Sequence, residues 1–178
     1  MNNKRRLTVL RIAAMLVVVA LSVYIFSIRD QAAKLALYGY PGVFMLAFLS
    51  YATVLLPAPG IAIVFTLGGI LNPLGVALAA GAGAALGELS GYLAGFSGQA
   101  VIEKGDRYAQ LTRWMSKNGP LTILALAAIP NPLFDLAGVV AGALKMRVPV
   151  FLFWAWIGET IKMLFFAYAG SRLFDLFS

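Results

Sequence analysis

Residues 127–145, A-A-I-P-N-P-L-F-D-L-A-G-V-V-A-G-A-L-K, are apolar enough to enter a bilayer, yet Pro130-Asn131-Pro132 interrupts them and Asp135 follows just past the break. A simple spanning helix needs none of these features. An apolar segment that enters, stops at a Pro-Asn-Pro tip and returns as a second half-helix needs all of them. Pro130 and Pro132 cannot donate to the helix ladder. Asn131 can cap the following helix, with Pro132 at its first position, where a missing N–H costs nothing. Asp135 then lies near the positive end of that half-helix. Interrupted backbone and a charge at membrane depth are tolerated only against protein or a wet cavity. The stretch reads as a re-entrant hairpin, spanning about 120–146, and as the mark of a site.

The surrounding composition agrees. Of 178 residues, 61% are hydrophobic and 12% charged, against roughly 25% charged in a soluble domain. The chain is an all-α integral membrane protein on this reading. Its net charge of +7 suits flanks that face anionic lipid and cytoplasm, and no nucleic-acid partner is expected. With neither cysteine nor histidine, disulfides, thiol catalysis and the commonest metal ligands are excluded. No metal, no cofactor and no enzyme activity are expected, and proton handling falls to carboxylates.

A second break lies upstream. The apolar run from Gly39 meets Pro57-Ala58-Pro59-Gly60, resumes as Ile61–Leu71 and ends at Asn72-Pro73. Pro57 stands twelve residues before Gly69, as Pro130 does before Gly142. Each unit continues into a long apolar helix, Leu74–Ser97 and Val148–Gly170. The expectation is an inverted repeat of re-entrant hairpin (about 39–72 and 120–146) plus transmembrane helix, occupying 35–178. One N-terminal transmembrane helix within 1–34 precedes it. Broken apolar segments at matching positions of two repeats point to a transporter-type site between them.

The basic residues orient the chain. Lys4, Arg5, Arg6 and Arg11 precede the apolar run Ile12–Ile28, read as an uncleaved first helix with a cytoplasmic N-terminus. The polar linker Gln99–Gly119 carries Lys104, Arg107, Arg113 and Lys117, and Lys145 and Arg147 follow the second hairpin. Placing these inside leaves Arg29, Lys34 and Arg172 outside, as the positive-inside rule asks. The two hairpins then point at each other from opposite faces of a cell (plasma or inner) membrane. Within the linker, Tyr108, Leu111, Trp114 and Met115 fall at helical spacing. Either an amphipathic helix on the membrane surface or a plain loop fits them.

Glu88 sits well inside its helix, with Tyr92 one turn on. A charge at mid-bilayer costs about 2.5–3.5 kcal/mol on insertion scales, and such residues mark transport paths. Glu88, Asp135, Tyr92 and Asn131 are therefore the candidate substrate- or proton-binding residues. Asn131 is more naturally a cap, and Asp135 also suits a dipole partner. Pro57, Pro59, Gly60, Pro130 and Pro132 form the hairpin tips. Glu159 and Lys162, three apart in the last helix, form an internal ion pair that serves as strut or gate. Gly83, Gly87, Gly91 and Gly95 make a smooth stripe for close packing against a hairpin or a second subunit. Two half-helix N-termini converging at mid-membrane would offer an anion site, with phosphate the obvious anion. Protonated carboxyls accommodate an anion and ionised ones repel it, so release would depend on pH.

The run I-P-N-P-L-F-D-L-A-G at Ile129–Gly138, continued by Gly158 and Ile161-Lys162-Met163, resembles the vacuole membrane protein branch of the VTT-domain (DedA-like) superfamily. Pro57–Gly60, Gly68-Gly69 and Gly87-Glu88 with Gly91, Tyr92, Gly95 and Gly98 look like that family's first hairpin and following helix. The resemblance covers roughly Pro41 to Gly170. It implies two oppositely inserted hairpins and lipid translocation, with Glu88, Asp135 and the Pro130–Pro132 tip as carried-over positions. Eukaryotic relatives are phospholipid scramblases, and some bacterial relatives recycle a phosphorylated carrier lipid with the proton-motive force. Many bacterial members have arginines flanking the second Pro motif. Here Ala127-Ala128 and Leu133-Phe134 stand there, which favours general phospholipid scrambling.

Three functions follow as expectations. The first is translocation of phospholipid or lipid-phosphate headgroups between leaflets. The second is proton-coupled export of small ions or cationic drugs. The third is a non-transporting membrane subunit assembled through the glycine stripe. The brevity of the chain favours a homodimer.

Overall fold

The computed structural model describes residues 38–52, 60–96, 106–131 and 133–177. The first apolar run, the N-terminal basic residues, Pro57, Pro59 and Pro132 lie outside the described residues. Among those described, seven helices follow one another and there is no strand. They are α1 (Gly39–Ala52), α2 (Gly60–Gly68), α3 (Pro73–Gly87), α4 (Leu89–Phe96), α5 (Asp106–Ala128), α6 (Leu133–Ala143) and α7 (Val148–Phe177).

Local chemistry sets the ends. Asn72 caps α3, its side-chain oxygen accepting from the N–H of Leu74 at 3.0 Å and of Gly75 at 3.2 Å, with Pro73 at the first helical position. Asn131 repeats the device before α6, accepting from the Leu133 N–H at 2.9 Å. Its amide also donates to the carbonyls of Leu126 at 2.8 Å and Ile129 at 2.7 Å, tying the end of α5 to the start of α6. Within α5, Asn118 leaves helical geometry (φ −155°, ψ 76°) two residues before Pro120. Two helical segments therefore meet at a kink, and Pro120 stands in the first turn of the second, where its missing N–H is harmless.

Helices α3 and α4 run on through Glu88, whose own N–H reaches the Ala84 carbonyl and whose carbonyl takes the Tyr92 N–H. Together they make a 24-residue apolar span, Pro73–Phe96, and α7 supplies a second, Val148–Phe174, of 27 residues. At ~1.5 Å per residue each exceeds a ~30 Å hydrocarbon core. Over the described residues, helices α1 and α6, with 14 and 11 residues, are shorter than the roughly 20 that a crossing requires. Helix α7 extends to Phe177, beyond the Gly170 end expected from hydropathy, because the amphipathic tail after Gly170 holds no helix breaker.

Two hydrophobic cores meet α7, one along its first half and one along its second. One joins Val43 and Ala47 of α1, Val64 and Leu67 of α2, and Val76 and Ala80 of α3 to Met163 and Ala167. The other joins Tyr92 of α4, Leu111 and Ile123 of α5, and Phe134 and Val140 of α6 to Phe151 and Ala155. The same packing rule operates in both. Helix α1 packs on α3, as α5 packs on α7, whereas α2 crosses to α7 and α6 crosses to α4. Glycines mark the crossings. Gly83 abuts the backbone of Phe44 and Phe48 in α1, and Gly158, seventy-five residues later, abuts Leu124 and Ala128 in α5. Gly95 abuts the Val139 backbone in α6, and Gly170, again seventy-five later, abuts Phe65 in α2.

Leu111 and Met115 of the linker helix are buried, whereas Trp114 is 46% exposed. One residue is ~100° of helix, so Trp114 turns away from the buried face that Leu111 and Met115 share, and the linker helix packs into the bundle through that face. At the far end of α6, Lys145 takes a left-handed φ of 53°. Its N–H bonds to the Gly142 carbonyl and the Met146 N–H to that of Ala141, the paired bonds of a Schellman cap.

Candidate functional site

Helices from both halves bring polar groups to the seam between the cores. Glu88, at the junction of α3 and α4, is 4% exposed. Glu159 and Lys162 on α7 are 0% and 6% exposed, with Lys162 Nζ 2.7 Å from Glu159 Oε1. The i, i+3 spacing puts them on one face of the helix. The Lys162 ammonium also sits 5.2 Å from the ring centre of Tyr51 in α1 and 5.7 Å from that of Phe134 in α6. Both distances are within cation–π reach. Asp135, beside Phe134, is exposed. Glu88, Asp135 and Glu159 all interact electrostatically with Lys162. The site is thus one lysine among three carboxylates, walled by two aromatic rings.

Small residues make the room. A Glu88 carboxylate oxygen lies 3.5 Å from where a Cβ on Gly138 would stand, and the Thr160 hydroxyl occupies the space a Cβ on Gly81 would need. Two buried atoms here, Glu159 Oε2 and Thr160 Oγ1, have no hydrogen-bond partner among the described residues, and nor does Ser90 Oγ in α4. Buried acceptors and hydroxyls left unpaired are rare in folded proteins. An incoming ammonium or hydroxyl could donate to Glu159 Oε2, and an incoming phosphate oxygen could accept a hydrogen bond from the Lys162 ammonium. Among the described residues no group of three acidic, histidine or cysteine side chains is disposed to hold a metal ion.

The other candidate residues have different places. Tyr92 is buried but turns away from the acidic cluster. Its hydroxyl donates to the Met146 carbonyl, and its ring packs 5.2 Å from that of Phe151 and 6.3 Å from that of Phe96. Asn131 spends its side chain on capping and on joining α5 to α6. Pro130 is exposed at that turn, and Gly60 is buried where α2 begins, against Ser50 and Tyr51. The glycine stripe is filled from within the chain: Gly83 and Gly87 by α1, Gly91 and Gly95 by α6. A second subunit finds no free stripe there. Tyr51, Phe134, Thr160 and Ser90 went unnoticed in the sequence. Phe134 adjoins Asp135, which is a signal of sorts, but nothing local connects Tyr51 to Lys162.

Comparison with known proteins fits this architecture. The sequence profile described as the VTT domain matches residues 56–172. The vacuole membrane protein KMS2 of Arabidopsis thaliana is 36% identical over 100 residues, which cover 46% of this chain and 24% of that protein. The match thus spans about a quarter of the plant protein's length. No solved structure gives a significant match.

Proposed function

Since this chain belongs to the VTT domain family of membrane proteins, we propose that it moves phospholipid between the leaflets of its membrane, the polar headgroup passing the Glu88–Asp135–Glu159–Lys162 cluster. The single observation that carries the reading is the buried Glu159–Lys162 pair with Glu88 beside it, within the two helices long enough to span. Ionisable groups at that depth are expensive and concentrate on transport paths. The crossed packing of α2 on α7 and α6 on α4 supports an inverted repeat, with α1–α2 and the second segment of α5 with α6 as re-entrant hairpins that enter from opposite faces. Lys117, Lys145 and Arg147 near one end of the bundle favour that end as cytoplasmic, in a cell membrane.

The test is exchange of a fluorescent phospholipid between leaflets of liposomes that hold the purified chain, with no ion gradient. Wild type should exchange lipid rapidly, and Glu88→Gln with Asp135→Asn should slow it about tenfold, equivalent to ~1.4 kcal/mol of barrier. Absence of exchange in wild type would sink the proposal. The excess of carboxylates over lysine favours a second reading, gradient-driven export of a cation. It predicts that transport ceases when the proton gradient is collapsed, whereas scrambling continues.

A further inference from the structure

Away from the acidic cluster, a cavity of about 430 Å³ opens where the kink of α5 meets the turn between α6 and α7. Its walls include Met115, Pro120, Leu144 and Val150, and Arg147 stands at its edge. The size falls within the range of small-ligand sites, ~300–1,000 Å³, and the lining has their usual character, apolar with a few polar groups. Arg147 is exposed and has no carboxylate partner among the described residues. Lys145 and Lys117 flank the lining residues in sequence, and no acidic residue lines the cavity. Arg147 also accepts the first hydrogen bond of α7, from the Phe151 N–H. The amides of Val148 and Val150 therefore have no acceptor within the helix, and the positive end of a 30-residue helix faces the same place.

We propose that this cavity is a binding site for an anionic glycerophospholipid, with its phosphate on Arg147 and the first amides of α7 and its apolar part between Met115, Pro120, Leu144 and Val150. Charge complementarity selects the occupant. Arg147 in the lining and Lys117 and Lys145 beside it in sequence, with no carboxylate partner among the described residues, suit an anionic headgroup, and basic pockets between membrane helices bind such headgroups. The apolar walls suit the glycerol and upper acyl chain, which free phosphate lacks. The lipid would bridge the kinked segment of α5 to the start of α7 and hold the linker helix against the bundle. The cavity lining includes none of Glu88, Asp135, Glu159 and Lys162, so its test stands whether or not the chain scrambles lipid.

The purified full chain, stripped of lipid in neutral detergent, is titrated with phosphatidylglycerol, phosphatidylcholine or inorganic phosphate while its thermal unfolding is followed. Phosphatidylglycerol should raise the midpoint by roughly 5 °C, and the other two should leave it unchanged. Arg147→Gln should abolish the shift by removing charge, and Leu144→Trp should abolish it by filling the cavity. Equal shifts with phosphatidylcholine would mean an unselective acyl groove, and equal shifts with phosphate would mean a free-anion site. Either outcome, or a shift retained in either variant, overturns the proposal.

Discussion

Lys162 of α7 reaches side chains on two other helices as well as its own. It pairs with Glu159 at zero exposure and touches aromatic rings from α1 and α6. Burying two charges costs several kcal/mol each, and their attraction returns it only while both are present. Lys162→Met should therefore destabilise the chain by about 3–5 kcal/mol. Glu159→Leu with Lys162→Met should recover most of that loss, since no charge is then stranded. Thermal unfolding of the two variants in detergent checks both. Lys145 is the opposite case. It sits at a left-handed φ of 53°, a conformation that costs an L-residue roughly 1–2 kcal/mol and a glycine almost nothing. Lys145→Gly should raise the unfolding midpoint by a few degrees, equivalent to about 1 kcal/mol.

At the scale of the helix, the glycines differ in what they do. A Cβ at Gly95 would collide with the Val139 backbone, whereas at Gly91 the nearest atom, the Asp135 carbonyl, is 3.6 Å away. Gly95→Ala should therefore cost about 1–3 kcal/mol, and Gly91→Ala should be close to neutral, though both belong to one stripe. Chemical unfolding of the pair separates them. Much of the element order could be read from residues alone. Asparagine and proline at 72–73 and 130–131 end helices for local reasons, whereas the seventy-five-residue repeat of glycines shows only in the packing. Trp114 could not be placed, because in a membrane protein both lipid and core accept an apolar ring, and periodicity does not distinguish them. The aromatic walls around Lys162 were hidden for another reason. Tyr51 and Lys162 meet only through the packing of α1 on α3 and of α3 on α7, a relation that no window of sequence contains. The acidic residues themselves were legible, since each is a charge in an apolar run, but their gathering around one lysine was not.

Over the whole molecule, α7 runs from a start preceded by Lys145 and Arg147 to a close that carries Arg172. The chain has no cysteine, so a single engineered thiol reports its own side of the membrane. Lys145→Cys and Arg172→Cys, both at exposed positions, should react with a membrane-impermeant maleimide from opposite sides of oriented vesicles. Labelling of both from one side would contradict a crossing α7. Sealed vesicles and lysed ones give the two readouts.

The crossed packing also sets a timetable. Helix α2 is made early, but its main seat is on α7, the last helix of the described chain. Until α7 has left the ribosome, the backbone of Phe65 has no Gly170 to lie against, and the first helix pair waits in the membrane with one side unclaimed. Biogenesis of the first half is completed only by the end of the second. A chain arrested before Val148 should be a substrate for membrane proteases, and supplying residues 148–178 as a separate polypeptide should rescue it.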